Sequence, residues 1–142
     1  MILLDGGIPG AVLRSISASG QVWPDGDDEE LELTAAYVAG SIQSAIGANY
    51  LQLYPSYTPG AGSSGCYMIV DFSYSEDGPW HQEASTDEDS GEFTYEAVSR
   101  VIPSGNFAIP IPIYSDYFRV SAKCTGAPSG SLLSIIADIG NF

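Results

Sequence analysis

The stretch that decides the fold is Tyr117-Phe-Arg-Val-Ser-Ala-Lys-Cys124. Successive residues of a strand point to opposite faces, so Phe118, Val120, Ala122 and Cys124 share one side and Tyr117, Arg119, Ser121 and Lys123 the other. One apolar face and one polar face describe a strand that covers a core on one side and meets water on the other, as in an antiparallel sheet. Downstream, Leu132 to Ile139 repeats the pattern, with Leu133, Ile135, Ala137 and Ile139 predicted to point inward. Upstream lies Ile109-Pro-Ile-Pro-Ile113. Pro110 and Pro112 lack amide protons on the same side of a strand, so this segment pairs along one side only and reads as a protected edge, with its three Ile facing the core.

Further out, the signals are shorter. Tyr50 to Tyr54, Cys66 to Tyr74 and Phe93 to Val98 read as strands bounded by Gly, Pro, Asp or Ser. Leu31, Leu33, Ala35 and Tyr37 alternate with Glu32, Thr34 and Ala36, which predicts one half-buried strand over residues 31 to 37. Residues 40 to 48 are ambiguous: Ile42 and Ile46 have helical spacing, but Gly40 and Gly47 limit any helix to about two turns. With a short strand near Val12 to Ile16, the chain has about eight strands separated by turn-rich loops. The expected fold is all-β: an antiparallel β-sandwich, jelly-roll-like, with an extended N-terminal arm. An immunoglobulin-like sandwich is the second choice.

The domain reading assigns 1-30 to an N-terminal arm and acidic hinge, and 31-142 to the sandwich. Ile2, Leu3, Leu4, Ile8, Val12, Leu13, Val22 and Trp23 precede the first clear strand and exceed what a small core needs. They are expected to form an interaction surface that docks on a neighbour. Deleting residues 1 to 24 is accordingly expected to leave the sandwich folded and to remove its attachment.

The 142 residues carry a net charge of −14, although only 15% are charged. No Lys or Arg lies between Arg14 and Arg100, an interval that holds 15 of the 18 acidic residues. Such a surface repels phosphate backbones and anionic lipid, which argues against direct nucleic-acid or membrane contact. No stretch approaches the roughly 20 apolar residues of a membrane span. The start, Met1-Ile-Leu-Leu-Asp5, lacks the features of a signal peptide, so synthesis in the cytoplasm is expected. Cys66 and Cys124 lie in separate strands and are expected to be buried, reduced thiols whose replacement by Ser leaves assembly intact.

No catalytic constellation emerges. His81 is the single histidine and has no nucleophile-elbow sequence beside it. The carboxylates of Asp87-Glu88-Asp89 would keep ordinary acidity on a loop and make poor general acids. Neither that run nor Asp25, Asp27, Asp28 and Glu30 has the spacing of a Ca²⁺ loop. The expectation is a non-enzymatic protein without metal or cofactor. Phe72-Ser-Tyr-Ser-Glu-Asp-Gly-Pro-Trp80 contains a tight turn at Asp77-Gly78 that folds Trp80 back over the preceding strand. Trp80 then either closes one end of the sandwich or forms a sugar-stacking platform with Tyr57 and Tyr74.

Taken in order, Tyr50-Leu-Gln-Leu-Tyr54, Asp77-Gly78-Pro79-Trp80, the Ile-Pro-Ile-Pro-Ile run and Phe118-Arg-Val120 resemble the β-sandwich virion structural proteins of tailed bacteriophages, most closely head decoration (cement) proteins. The resemblance covers residues 31 to 142 and lies in order and texture. It implies a homo-oligomer, a trimer, on the outer surface of the head, with the major capsid protein or other virion subunits as partners and the virion as location. A tail or neck component has the same features. The Asp-Gly-x-Trp texture also occurs in carbohydrate-binding and discoidin-like sandwiches, the competing class. A chain that begins at Met1 and ends just after an apolar strand suits a free-standing virion component better than a module of a larger secreted protein.

Overall fold

The computed structural model describes residues 15–25, 31–32, 34–87, 91, 94–126 and 130–141, with the backbone alone at Ser15, Ser17, Leu31, Glu32 and Asp87. Its strands are β1 (Ser15–Trp23), β2 (Leu31–Glu32), β3 (Val38–Ala39), β4 (Gln43–Ser44), β5 (Tyr50–Thr58), β6 (Ser63–Ser73), β7 (His81–Gln82), β8 (Ala84–Asp87), β9 (Thr94–Ala97), β10 (Arg100–Ile102), β11 (Ile109–Pro112), β12 (Tyr117–Gly126) and β13 (Leu132–Asn141). All pair antiparallel, and the described residues contain no helix. The ambiguous 40–48 segment resolves into β4 and a turn.

Two sheets share the core. The first has the order β1-β13-β5-β11, with β2 also on β13; the second has the order β10-β6-β12-β3, with β4 on β12 and β7 on β6. Leu51 and Leu53 of β5 and Leu133, Ile135 and Ala137 of β13 join Met68 and Val70 of β6 and Phe118 and Val120 of β12 in one buried cluster. The inward positions predicted for β12 and β13 are all buried, whereas Ser121, expected on the outward face of β12, is itself only 4% exposed. In β11 the edge position holds: Ile109 pairs with Leu53 and Ile111 with Leu51, Ile111 is fully buried, and among the described residues no strand pairs with the side bearing the two prolines.

The largest correction concerns the start of the chain. Val22 and Trp23 do not belong to an exposed arm: they are 2% and 0% exposed and sit in the core. β1 runs along β13 from Ser15↔Asn141 to Trp23↔Ile135, with bulges at Ile16/Ala18 and Gln21/Trp23. The Trp23 indole N–H donates to the Val38 carbonyl at 2.7 Å, tying the first sheet to β3 of the second. The folded unit therefore includes residues 15–23, and a deletion through residue 24 removes a sheet strand. Ile2, Leu3, Leu4, Ile8, Val12 and Leu13 lie outside the described residues.

The strand expected over 31–37 is also divided. β2 pairs with β13 in the first sheet, and the chain then crosses to the second, where the Cys124 amide donates to the Thr34 carbonyl at 2.8 Å. The crossing continues through Gly40, whose amide donates to the Val120 carbonyl at 2.7 Å. A Cβ on Gly40 would stand 2.1 Å from the Val22 carbonyl oxygen, so this approach of backbone to backbone requires glycine.

Candidate interaction surfaces

With the apolar faces turned inward, the functional surfaces are what the strands present outward. On the outer face of the second sheet, register places Arg119 opposite Asp71 and Lys123 opposite Tyr67. The Arg119 Nε–H donates to Asp71 Oδ2 at 3.3 Å, and the guanidinium carbon lies 4.6 Å from the centre of the Trp80 ring. Trp80 reaches this position through a turn: Gly78 adopts φ +90 and its amide donates to the Ser75 carbonyl at 3.1 Å, which turns the chain back over β6. Lys123 repeats the arrangement, its ammonium 4.7 Å from the centre of the Tyr37 ring. Aromatic rings thus hold both cations of this face, and Trp, Tyr and Arg are the residues most enriched in interface hot spots.

At the edge of this sheet, β7 and β10 both pair with β6, and between them the chain leaves as the β8–β9 hairpin. Every hairpin side chain the structure describes is exposed. Its base is fixed: the Arg100 guanidinium donates to both carboxylate oxygens of Glu83, with Nη2 to Oε2 at 2.9 Å, and the Gln82 amide donates to the Val98 carbonyl at 3.1 Å. Glu83 is buried, so this is a bidentate pair with little competition from water.

The first sheet presents another surface. A cleft of about 390 Å³ is lined by Tyr54, Pro55, Ser56, Asn106, Phe107 and Ala108. The Tyr54 hydroxyl donates to Asp138 Oδ2 at 3.3 Å, and the Ser19 hydroxyl to Oδ1 at 2.7 Å.

The proposed sugar platform is not assembled. Tyr57 points into the core, where its hydroxyl and that of Ser63 share a hydrogen bond of 2.8 Å and burial raises its pKa. Ser63 begins β6 and Tyr74 follows its end, so about 30 Å of strand separates Tyr57 from Tyr74 and Trp80. Tyr74 is exposed, while Trp80 is half-buried with the Arg119 guanidinium over its ring. His81 is exposed on β7, and its neighbour Glu83 is engaged by Arg100 instead. Among the described residues, no three His, Cys, Asp or Glu side chains gather as a metal site. Of the acidic runs, residues 27–30 and 88–89 lie outside the described residues.

Sequence reasoning missed three features of these surfaces: the Arg119–Trp80 stack, the Glu83–Arg100 clamp and the cleft at Tyr54. The polar face of Tyr117 to Lys123 was the one available signal, since it placed Arg119 and Lys123 together on an outward side. No protein-family profile, no curated protein and no solved structure matches the chain.

Proposed function

We propose that the two sheets form a jelly-roll sandwich and that the protein is a non-enzymatic structural component of a phage particle, a decoration or cement protein that binds the outer surface of the head as an oligomer. Strand order is the observation that carries this reading. β1 and β2 share one edge of β13, β3 and β4 one edge of β12, and β7 and β10 one edge of β6. Each pair counts as one interrupted strand, and the β8–β9 hairpin is an insertion. Eight strands then remain, ordered 1-8-3-6 in one sheet and 2-7-4-5 in the other. That is the order of two interlocked Greek keys, an architecture shared by viral capsid and lectin domains.

Three further observations support a binding role over a catalytic one. The second sheet's outer face concentrates aromatic rings and cations. The hairpin projects from its edge on a fixed base. The carboxylates whose partners are seen are engaged in structural contacts, Glu83 with Arg100, Asp71 with Arg119, and Asp138 with Ser19 and Tyr54. The acidic surface suits an outward position, away from packaged DNA.

Mass spectrometry of purified phage particles tests the proposal. The expected result is a subunit present in fixed ratio to the major capsid protein and released as an oligomer when the head surface is stripped. Its absence from intact particles overturns the reading. A sugar-binding sandwich is the second reading, and the Tyr54–Phe107 cleft is the observation that favours it. Binding of neutral glycans that is lost in Phe107→Ala would support that reading instead.

A further inference from the structure

We infer that the outer face of the second sheet is a docking surface for the β8–β9 hairpin of a second copy of the chain. The inference rests on the proposal that the protein works as an oligomer, and it names the contact. An isolated two-stranded ribbon is at best marginally stable in water. Here the ribbon projects with Ser85, Thr86, Thr94, Tyr95 and Glu96 all exposed, so it does not lie on its own sheet. The Glu83–Arg100 clamp holds its base and lowers the ordering cost of a contact made further out.

Charge selects the occupant. Residues 84–97 contain five acidic residues and no basic one. The outer face of the second sheet carries Arg119 and Lys123 against the single carboxylate Asp71 on the paired strands β6 and β12. Arg119 is already bonded to Asp71, whereas Lys123 meets an aromatic ring and pairs with no carboxylate of the described residues. In a chain of net charge −14, this is a cationic face, and a copy's own hairpin supplies the complementary sign. Val101, 61% exposed and opposite Tyr67, adds apolar surface beside Lys123. Register puts Glu96 on the hairpin face shared with Ser85 and Thr94, and this face is the one that docks. Hairpin on one copy and face on the next make a head-to-tail contact, which closes into a ring when the rotation permits.

Sedimentation equilibrium of the full chain, at about 50 and 500 mM salt, tests the contact. Assembly is expected to weaken at high salt, and Lys123→Glu and Glu96→Lys each to raise the dissociation constant about tenfold or more. The double variant, with the charges exchanged, is expected to regain most of the wild-type affinity. Salt-independent assembly of the wild type overturns the inference without requiring any variant to fold. So does wild-type affinity in both single variants, or a chain monomeric at every concentration. Presence in particles is scored separately: a subunit found in virions that assembles unchanged in the charge variants retains its proposed function and loses this contact.

Discussion

Cys66 and Cys124 stand directly opposite each other on β6 and β12, both fully buried on the core side and both free. Their surroundings differ. Cys124 Sγ lies 3.0 Å from the Ser63 hydroxyl and 3.6 Å from that of Ser131, whereas Cys66 makes no hydrogen bond among the described residues. A hydroxyl at 124 finds partners, and one at 66 is buried without any. Cys124→Ser is therefore expected to be nearly neutral, and Cys66→Ser to cost about 1–3 kcal/mol. Urea unfolding of the two variants checks this, and equal losses would refute the asymmetry.

Burial, with Cys124 close by, pushes the Cys66 thiol up to about 12. The folded protein keeps a proton that the unfolded chain gives up at lower pH. The stabilising contribution is thus complete below about pH 9 and disappears as pH climbs toward the folded value, with a limiting slope of about 1.4 kcal/mol per pH unit. Unfolding free energies of the wild type and Cys66→Ala, compared above about pH 9, should converge as pH rises. Parallel curves would show that Cys66 does not drive the loss.

The pair formed by Glu83 and Arg100 closes the base of the β8–β9 hairpin. Removing Arg100 leaves a buried carboxylate without its partner, so Arg100→Ala is expected to cost about 3 kcal/mol. Hydrogen exchange should report opening first in β8 and β9. A loss below about 1 kcal/mol would class the pair with exposed surface bridges.

At the seam between the sheets, Trp23 and Gly40 meet: the Trp23 ring lies 3.1 Å from where a Gly40 Cβ would be placed. Trp23→Ala is expected to cost about 3–5 kcal/mol through the cavity and the lost bond to Val38. Gly40→Ala drives a methyl group into the Val22 carbonyl and should be comparably severe, because backbone on both sides must move. Thermal melts of the two variants provide the measurement. A wild-type melting temperature in Gly40→Ala would disprove the close approach.

What the sequence determined by itself is the part written in side-chain alternation. Phe118, Val120, Ala122 and Cys124, the Leu133 to Ile139 series and the proline-protected Ile111 each declare their buried face within a few residues, because strand geometry alone fixes the two-residue period. All-β structure and the inner faces of β12 and β13 follow from that local rule. The strand expected near Val12 to Ile16 only touched β1: Ile16 and Ala18 alternate with serines yet stay exposed, and bulges at Ile16/Ala18 and Gln21/Trp23 break the register, so no local period predicts that Val22 and Trp23 end in the core. Tertiary structure decided those burials, the crossing of the chain between sheets at Thr34 and Gly40, and the turning of Tyr57 inward while Trp80 settles on Arg119. It also brought Cys66 to Cys124 and Glu83 to Arg100. Such pairings depend on which strands become neighbours, and that is set by the joint packing of two sheets around one core, a condition that no short window of sequence contains.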